Sequence, residues 1–120
     1  MRVALRALCL LILLAGLSAC VKHADDADVR AAIGNAPVVL LSTASCPYCA
    51  KLRTDLTAWG VAFDEFDVER SSAGQRAYEL LAGRAVPILL IGGETLHGYS
   101  RERSRAVLAG AGLLPVAAPD

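Results

Sequence analysis

The chain has 120 residues, which allows one domain with short flanking segments. Its twelve basic and twelve acidic side chains give a formal net charge of +0 at pH 7. The composition therefore lacks the basic excess that is typical of nucleic-acid-binding proteins, and no nucleic acid is expected as a partner.

Residues 1–19 have the pattern of a secretory signal peptide. Arg2 and Arg6 form a short basic region, and the apolar run 7–17 follows it. At about 1.5 Å per residue this run is too short to cross a bilayer core of about 30 Å, and the polar segment 22–28 comes soon after it. Removing the two arginines would leave ten basic against twelve acidic side chains, a formal net charge of −2.

The predicted signal ends in Leu17-Ser18-Ala19-Cys20, which resembles the lipobox of bacterial lipoproteins. The resemblance implies that Cys20 is lipidated and becomes the mature N-terminus, anchored in a membrane and facing the periplasm. The alternative is ordinary signal cleavage nearby, with Cys20 unmodified. Cys9 leaves with the signal in either case. With Cys20 lipidated, one close pair of thiols remains, which suits reversible oxidation better than a structural disulfide framework.

The remaining segments follow in chain order. Residues 20–36 are predicted as the lipidated N-terminus and tether, in which Asp26 or Asp28 caps a short helix over 29–33. The predicted strands cover residues 38–42, 61–68, 86–91 and 95–97. The predicted helices are 46–59, a second that is capped at Ser71 or Ser72 and ended by Gly83, and a third that Ser100 caps and that fades at 110–112.

The predicted order of elements is β-α-β-α-β-β-α. Strands joined by a helix are parallel, and the last two strands form a hairpin through Gly92-Gly93. We therefore expect an α/β domain over residues 37–112, with a four-stranded mixed sheet and helices on both faces. Residues 113–120 are expected to form a flexible tail.

The motif Cys46-Pro47-Tyr48-Cys49 lies between a predicted buried strand and a predicted helix. The first turn of a helix carries unpaired backbone N–H groups and the positive end of the helix dipole, both of which stabilise a thiolate. Because the thiolate is the nucleophile, two cysteines at this position indicate redox chemistry.

This motif, with Val86-Pro87 opening a strand, Gly92-Gly93 at a turn and Gly98-Tyr99 before the last helix, resembles a glutaredoxin over residues 37–110. The resemblance implies a thioredoxin-like fold and thiol–disulfide oxidoreductase activity. It also implies that Cys46 is the exposed nucleophile and that Cys49 resolves the mixed disulfide. Pro47 and Tyr48 would shape the active-site loop.

The same resemblance implies the residues that bind the substrate. Pro87 corresponds to the cis-proline of the family, and the backbone of Val86 to the group that pairs with a bound peptide or glutathione. Arg84 corresponds to a position that meets a glutathione carboxylate, with a solvated surface arginine as the alternative. Gly98, Tyr99 and Ser100 correspond to the region that holds the γ-glutamyl end.

Three positions depart from the family pattern. Thr43 stands where a lysine is frequent, Ala85 replaces the usual threonine, and Gly98-Tyr99-Ser100-Arg101 replaces a Gly-Gly-acidic signature. A Gly-aromatic pair also resembles the branch that depends on thioredoxin reductase. The expected partners are disulfide-bonded proteins, with glutathione as a co-substrate and no tightly bound cofactor. The protein is expected to be a monomer.

A different class of function uses the same two cysteines. They would hold Cu(I), or bridge an iron–sulfur cluster with glutathione. A structural zinc site is not expected, because it needs four ligands. His97 is interpreted as a strand-end residue, Trp59 as core, and the arginines of the last helix, Arg101, Arg103 and Arg105, as a solvated basic edge.

Overall fold

The computed structural model describes residues 26–120. The predicted signal peptide and Cys20 lie outside the described residues. The helices are α1 (Asp26–Ile33), α2 (Pro47–Ala58), α3 (Ser72–Leu80) and α4 (Arg101–Gly110). The strands are β1 (Val38–Ser42), β2 (Asp64–Asp67), β3 (Ile88–Ile91) and β4 (Glu94–His97). None of the helices within 26–120 has the length and apolar character that a membrane crossing needs.

The four strands form one mixed sheet in the order β2-β1-β3-β4. β1 and β2 are parallel because α2 carries the chain back across the sheet between them, whereas β1 pairs with β3, and β3 with β4, in antiparallel fashion. The predicted α/β architecture with a mixed four-stranded sheet is confirmed. The short helix predicted over 29–33 is also present as α1, but it begins earlier, at Asp26, so that Asp28 lies within the helix and does not cap it.

Each face of the sheet carries its own hydrophobic core. Successive side chains of a strand point to opposite faces, so Val38 and Leu40 lie on one side of β1 and Val39 and Leu41 on the other. The first core lies under α2 and α4, and the second under α1 and α3. All residues of β1 are buried, as expected for a central strand covered on both faces.

Two predicted strands are shorter than the sequence pattern indicates. β2 begins at Asp64 and not at Val61, because Val61 completes the end of α2 by donating its N–H to the carbonyl oxygen of Leu56 at 3.0 Å. β3 begins at Ile88, directly after the cis peptide bond between Val86 and Pro87. The predicted cis conformation of this bond is confirmed.

The end of α3 also differs from the prediction. Ser71 is the N-cap, and its hydroxyl accepts a hydrogen bond from Gly74 N at 3.1 Å. The helix ends at Leu80, and the left-handed residue after it is Ala82, with φ = +51°, where the prediction had placed the end at Gly83. Gly83 serves a different purpose, because a Cβ atom there would collide with the ring of Tyr78.

Residues 113–120, the segment predicted as a flexible tail, contact the domain in the structure. Leu113, Leu114 and Ala118 pack against the first core, and Arg105 donates hydrogen bonds to the carbonyl oxygens of Ala118 and Pro119. These residues thereby extend the cover of the first core beyond α4.

Candidate active site

The two cysteines of the motif occupy different environments at the start of α2. Cys46 is the N-cap residue and is partly exposed, whereas Cys49 is 0% exposed. The two form a disulfide, with their Cα atoms 5.2 Å apart. Cys49 N donates a hydrogen bond to Cys46 Sγ at 3.0 Å, and Pro47 at the first helical position has no N–H to leave unpaired. The helix start therefore supplies a donor that also stabilises negative charge on the Cys46 sulfur after reduction.

The loop before β3 lies against Cys46. Cys46 Sγ is 3.7 Å from the carbonyl oxygen of Val86, which precedes the cis-proline. Gly98 N donates to the carbonyl oxygen of Pro87 at 2.9 Å, which joins the β4–α4 loop to the same place. Three segments that are distant in sequence, the dithiol motif, 86–87 and 98–99, are thus brought together.

Tyr48 and Tyr99 form an aromatic pair beside the dithiol. Their rings are stacked, with centroids 5.9 Å apart and an angle of 28° between the planes. Tyr48 is 56% exposed, and Lys51 Nζ lies 5.2 Å from its ring centroid. The predicted site residues at 48 and 99 are therefore in direct contact.

The hydroxyl group of Tyr99 is bound by Asp55 of α2. The Tyr99 hydroxyl donates to Asp55 Oδ2 at 2.8 Å, and Arg101 forms a close ion pair with Asp55 Oδ1. The hydrogen bond to Asp55, followed by burial, raises the pKa of Tyr99 above its ordinary value. Asp55 is only 7% exposed, so its charge is compensated by these two partners.

Two other predicted site residues have different surroundings. The Ser100 hydroxyl accepts from Arg103 N at 3.3 Å and caps α4. Arg84 is exposed and lines a cavity of about 420 Å³ with His97 and Gly98. A separate cavity of about 490 Å³ borders Val86 and is also lined by Thr43. Arg84 and Val86 thus line two adjoining cavities, both of which include Ala85.

The basic edge predicted for α4 is wrong for two of its three arginines. Arg101 and Arg105 place their guanidinium groups over the ring of Trp59, 5.0 and 5.6 Å from its centroid. Arg105 also pairs with Asp120 at 3.2 Å. Both guanidinium groups are engaged in contacts within the protein, because one face of the Trp59 ring is turned towards α4. Trp59 is buried, as predicted. Arg103 is exposed.

The sequence interpretation missed Asp55. A signal was present, because Asp55 precedes Leu56 within the helical stripe formed by Leu52, Leu56 and Trp59. A carboxylate on the edge of a buried stripe needs partners. Its partners, Tyr99 and Arg101, are more than forty residues away, with separations of 44 and 46. Sequence spacing could not have indicated them.

A second cluster of polar side chains, formed by Ser42, Arg53 and Glu65, was also missed by the sequence interpretation. Ser42 of β1 donates to Glu65 Oε1 at 2.7 Å, and Arg53 Nε of α2 donates to Glu65 Oε2 at 2.9 Å. The group links β1, α2 and β2. Among residues 26–120 there is no set of three or more His, Cys, Asp or Glu side chains arranged to hold a metal ion.

A mixed sheet with helices on both faces and a dithiol at the start of a helix beside a cis-proline define a thioredoxin-like protein. Comparison with known proteins agrees. The Glutaredoxin family model matches residues 38–96. A Mycobacterium tuberculosis H37Rv protein that is named provisionally as a glutaredoxin is 34% identical over 76 residues, 61% of this chain and 90% of its own. The chain belongs to the glutaredoxin family.

Solved structures support the same assignment. Wheat glutaredoxin is 26% identical and superposes with a TM-score of 0.58, over 78% of this chain and 94% of its own. A buckwheat glutaredoxin in complex with glutathione superposes with a TM-score of 0.55, over 75% of this chain and 98% of its own. At 20% identity the buckwheat protein shows the shared fold alone.

Proposed function

We propose that this protein is a thiol–disulfide oxidoreductase that uses a dithiol mechanism. The observation that carries the proposal is the asymmetry of the cysteine pair, in which Cys46 is partly exposed at the helix N-cap and Cys49 is fully buried. An accessible sulfur at the positive end of a helix suits nucleophilic attack on an external disulfide. A buried sulfur within bonding distance of it suits the internal step that follows.

The reaction begins with the reduced protein. The Cys46 thiolate attacks one sulfur of the substrate disulfide, whose S–S bond breaks, and the other substrate sulfur leaves as a thiolate that takes up a proton. Cys49, after losing its proton, then attacks Cys46 Sγ in the mixed disulfide and releases the second substrate thiol. Two electrons pass to the substrate, and the Cys46–Cys49 disulfide remains.

Glutathione is the proposed electron donor. One glutathione thiolate attacks Cys46 Sγ and frees Cys49, and a second attacks the glutathione sulfur, so that the dithiol and oxidised glutathione are formed. Two observations support this role: the accessible sulfur lies 3.7 Å from the backbone of Val86, and the buckwheat protein of the same fold is a glutathione complex. A donor of the thioredoxin-reductase type is the alternative that the measurement below distinguishes.

The test compares the two cysteine variants of the protein without residues 1–19. Cys46→Ser is expected to abolish turnover of a glutathione mixed disulfide, because the attacking sulfur is lost. Cys49→Ser is the matched variant, and it is expected to accumulate a mixed disulfide visible as a mass increase of one substrate thiol. Turnover that persists in Cys46→Ser, or wild-type protein that binds Cu(I) one-to-one without any turnover, would contradict the proposal. Omitting glutathione or thioredoxin reductase in turn identifies the donor.

We also propose that the protein works outside the cytoplasm, tethered to a membrane through lipid on Cys20. The support is the order of basic residues, apolar run and Leu17-Ser18-Ala19-Cys20 in the sequence. Such a compartment favours disulfides, so the reductant would have to be supplied to it. Membrane fractions from cells fed labelled palmitate are expected to contain the labelled protein. Label that is retained in Cys20→Ser would contradict the anchor.

A further inference from the structure

Asp55 ties the loop before α4 to α2. A carboxylate that is 7% exposed needs hydrogen-bond partners, and both partners of Asp55, Tyr99 and Arg101, come from that loop and the first residue of α4. The position of the loop therefore depends on a side chain of the helix that carries the cysteines.

The connection continues from Tyr99 to the dithiol. The Tyr99 hydroxyl is fixed by Asp55 at 2.8 Å, and its ring stacks on Tyr48, which stands between the two cysteines. Stacked aromatic rings with centroids 5.9 Å apart contribute stabilisation in addition to that from the surface area they bury. A continuous line of contacts thus runs from Asp55 through Tyr99 to Tyr48.

The polar side chains of Ser100 and Arg101 are engaged within the protein. The Ser100 hydroxyl caps α4, and the Arg101 guanidinium is shared between Asp55 and the carbonyl oxygen of Asp120, 2.9 Å away. What the loop contributes beside the dithiol is the ring of Tyr99. Tyrosine rings offer a large contact area at a low cost in side-chain entropy, which suits contact with a polypeptide.

We infer that Asp55 is a positioning residue for disulfide exchange: through Tyr99 it fixes Tyr48, and the two rings bind the polypeptide around the cysteine of a disulfide substrate. The inference rests on the proposed function and assigns it a substrate class. The preferred substrates are disulfide-bonded polypeptides with an aromatic or apolar side chain next to the reacting cysteine. Small disulfides lack such a flanking side chain and are turned over without help from Asp55.

A double-mutant cycle tests this inference, because Asp55→Ala and Tyr99→Phe remove the same hydrogen bond. Kinetics are measured with two substrates, bis(2-hydroxyethyl) disulfide and a disulfide-bonded peptide that carries Phe next to the reacting cysteine. Each single variant is expected to raise KM for the peptide about tenfold, and the double variant no further, because a shared interaction is lost only once. The rate of the first step with the small disulfide, measured in a single turnover of the reduced protein without glutathione, is expected to stay within about twofold of wild type.

Two further measurements accompany the cycle. Asp64→Ala, which removes an exposed carboxylate from β2, is the matched control and is expected to change neither substrate's kinetics. Absorbance titration, with Tyr99→Phe subtracted from wild type, follows Tyr99 alone. In Asp55→Ala the pKa of Tyr99 is expected to fall towards its ordinary value of 10.0, because the hydrogen bond that raises it is gone.

The outcomes separate the inference from the proposed function. Additive effects of Asp55→Ala and Tyr99→Phe, or equal losses with both substrates, would show a general structural role and overturn the inference. If Asp55→Ala does not fold, Tyr99→Phe decides by itself, and an unchanged KM for the peptide overturns the inference. A wild-type protein that turns over neither substrate overturns the proposed function, and the inference with it.

Discussion

At the scale of single residues, the chemistry of this protein depends on where two sulfurs lie in one helical turn. Cys46 is placed at the N-cap with an extended backbone, φ = −89° and ψ = 109°, and the residue is partly exposed. Cys49 lies three residues later and is fully buried. The exposure of Cys46 therefore suits it to attack on an external disulfide, and the burial of Cys49 suits it to resolution of the mixed disulfide.

Glu65 gives a prediction at the residue scale. The hydrogen bond from Arg53 is the main reason that its pKa lies below the ordinary 4.5, with Ser42 lowering the pKa further and burial opposing both. Because the folded-state pKa is the lower one, the carboxylate contributes stability above the unfolded pKa, and this contribution is lost as the pH falls through the folded pKa. Glu65→Gln is expected to cost about 1 kcal/mol or less at pH 7, since the pair is partly exposed.

The measurement is urea unfolding of wild type and Glu65→Gln between pH 7 and about pH 3. The two stabilities are expected to converge as the pH falls, because the wild-type carboxylate is then neutral too. Glu94→Gln, an exposed carboxylate on β4, serves as the control and is expected to show a smaller difference from wild type throughout. A difference between wild type and Glu65→Gln that is constant with pH would refute the assigned role of the ion pair.

At the scale of secondary-structure elements, three helices end in the same hydrogen-bonded motif. After α2, α3 and α4 the chain turns through a left-handed residue, and the next residue donates its N–H back to a carbonyl of the last turn. The left-handed residue is Gly60 after α2 and Gly112 after α4, both with φ = +71°. After α3 it is Ala82, whose Cβ makes this conformation costly.

Ala82→Gly is therefore expected to stabilise the protein. The relief of the left-handed alanine outweighs the added entropy of an unfolded glycine, for a net gain of about 0.5–1 kcal/mol and a Tm increase of roughly 3–6 °C. Ala106→Gly, in the exposed middle of α4, is the matched control and is expected to destabilise by about 1 kcal/mol. Calorimetry measures both, and a lower Tm for Ala82→Gly would contradict the assignment of strain.

At the scale of the whole molecule, residues 113–120 complete the cover of the first core. Arg101 and Arg105 stack over the ring of Trp59 and donate hydrogen bonds to the end of this segment. At its start, Leu113 and Leu114 pack against the first core. Arg101 also pairs with Asp55, so the contacts of the segment and those of the aromatic pair meet at one guanidinium. The active site and the C-terminal cover are thereby part of one packed layer.

Arg105→Ala is expected to loosen this segment. It removes hydrogen bonds to Ala118 and Pro119 and one cation over the ring of Trp59, so the amides of Ala118 and Asp120 are expected to exchange faster and Trp59 emission to shift to the red. The chain has one tryptophan, so the fluorescence reports on this position alone. Arg103→Ala, at an exposed position of the same helix, is the control. Equal amide exchange in the two variants would contradict the role of Arg105 in holding residues 118–120.

Much of the architecture was encoded locally and could be predicted. The continuous apolar run of β1, the helical spacing of Leu52 and Leu56, and the glycine turns determine the element order, and the right-handed crossover leaves few topologies for it. The Cys46–Cys49 motif is local in the same sense, because a helix start and two thiols within one turn suffice to indicate redox chemistry. The exact strand ends were less predictable, since Val61 satisfies both a strand pattern and a helix end.

The side chains beside the dithiol, in contrast, are brought there by contacts between segments that are distant in sequence. Asp55, Tyr99 and Arg101 meet across more than forty residues of sequence, and no local periodicity relates such positions. The fold class and the dithiol could be predicted from the sequence alone, because they follow from hydrophobic pattern and from spacing within an element. The pairing of Arg101 with Asp55 and the stacking of Tyr99 on Tyr48 come from packing, because they depend on which elements come into contact.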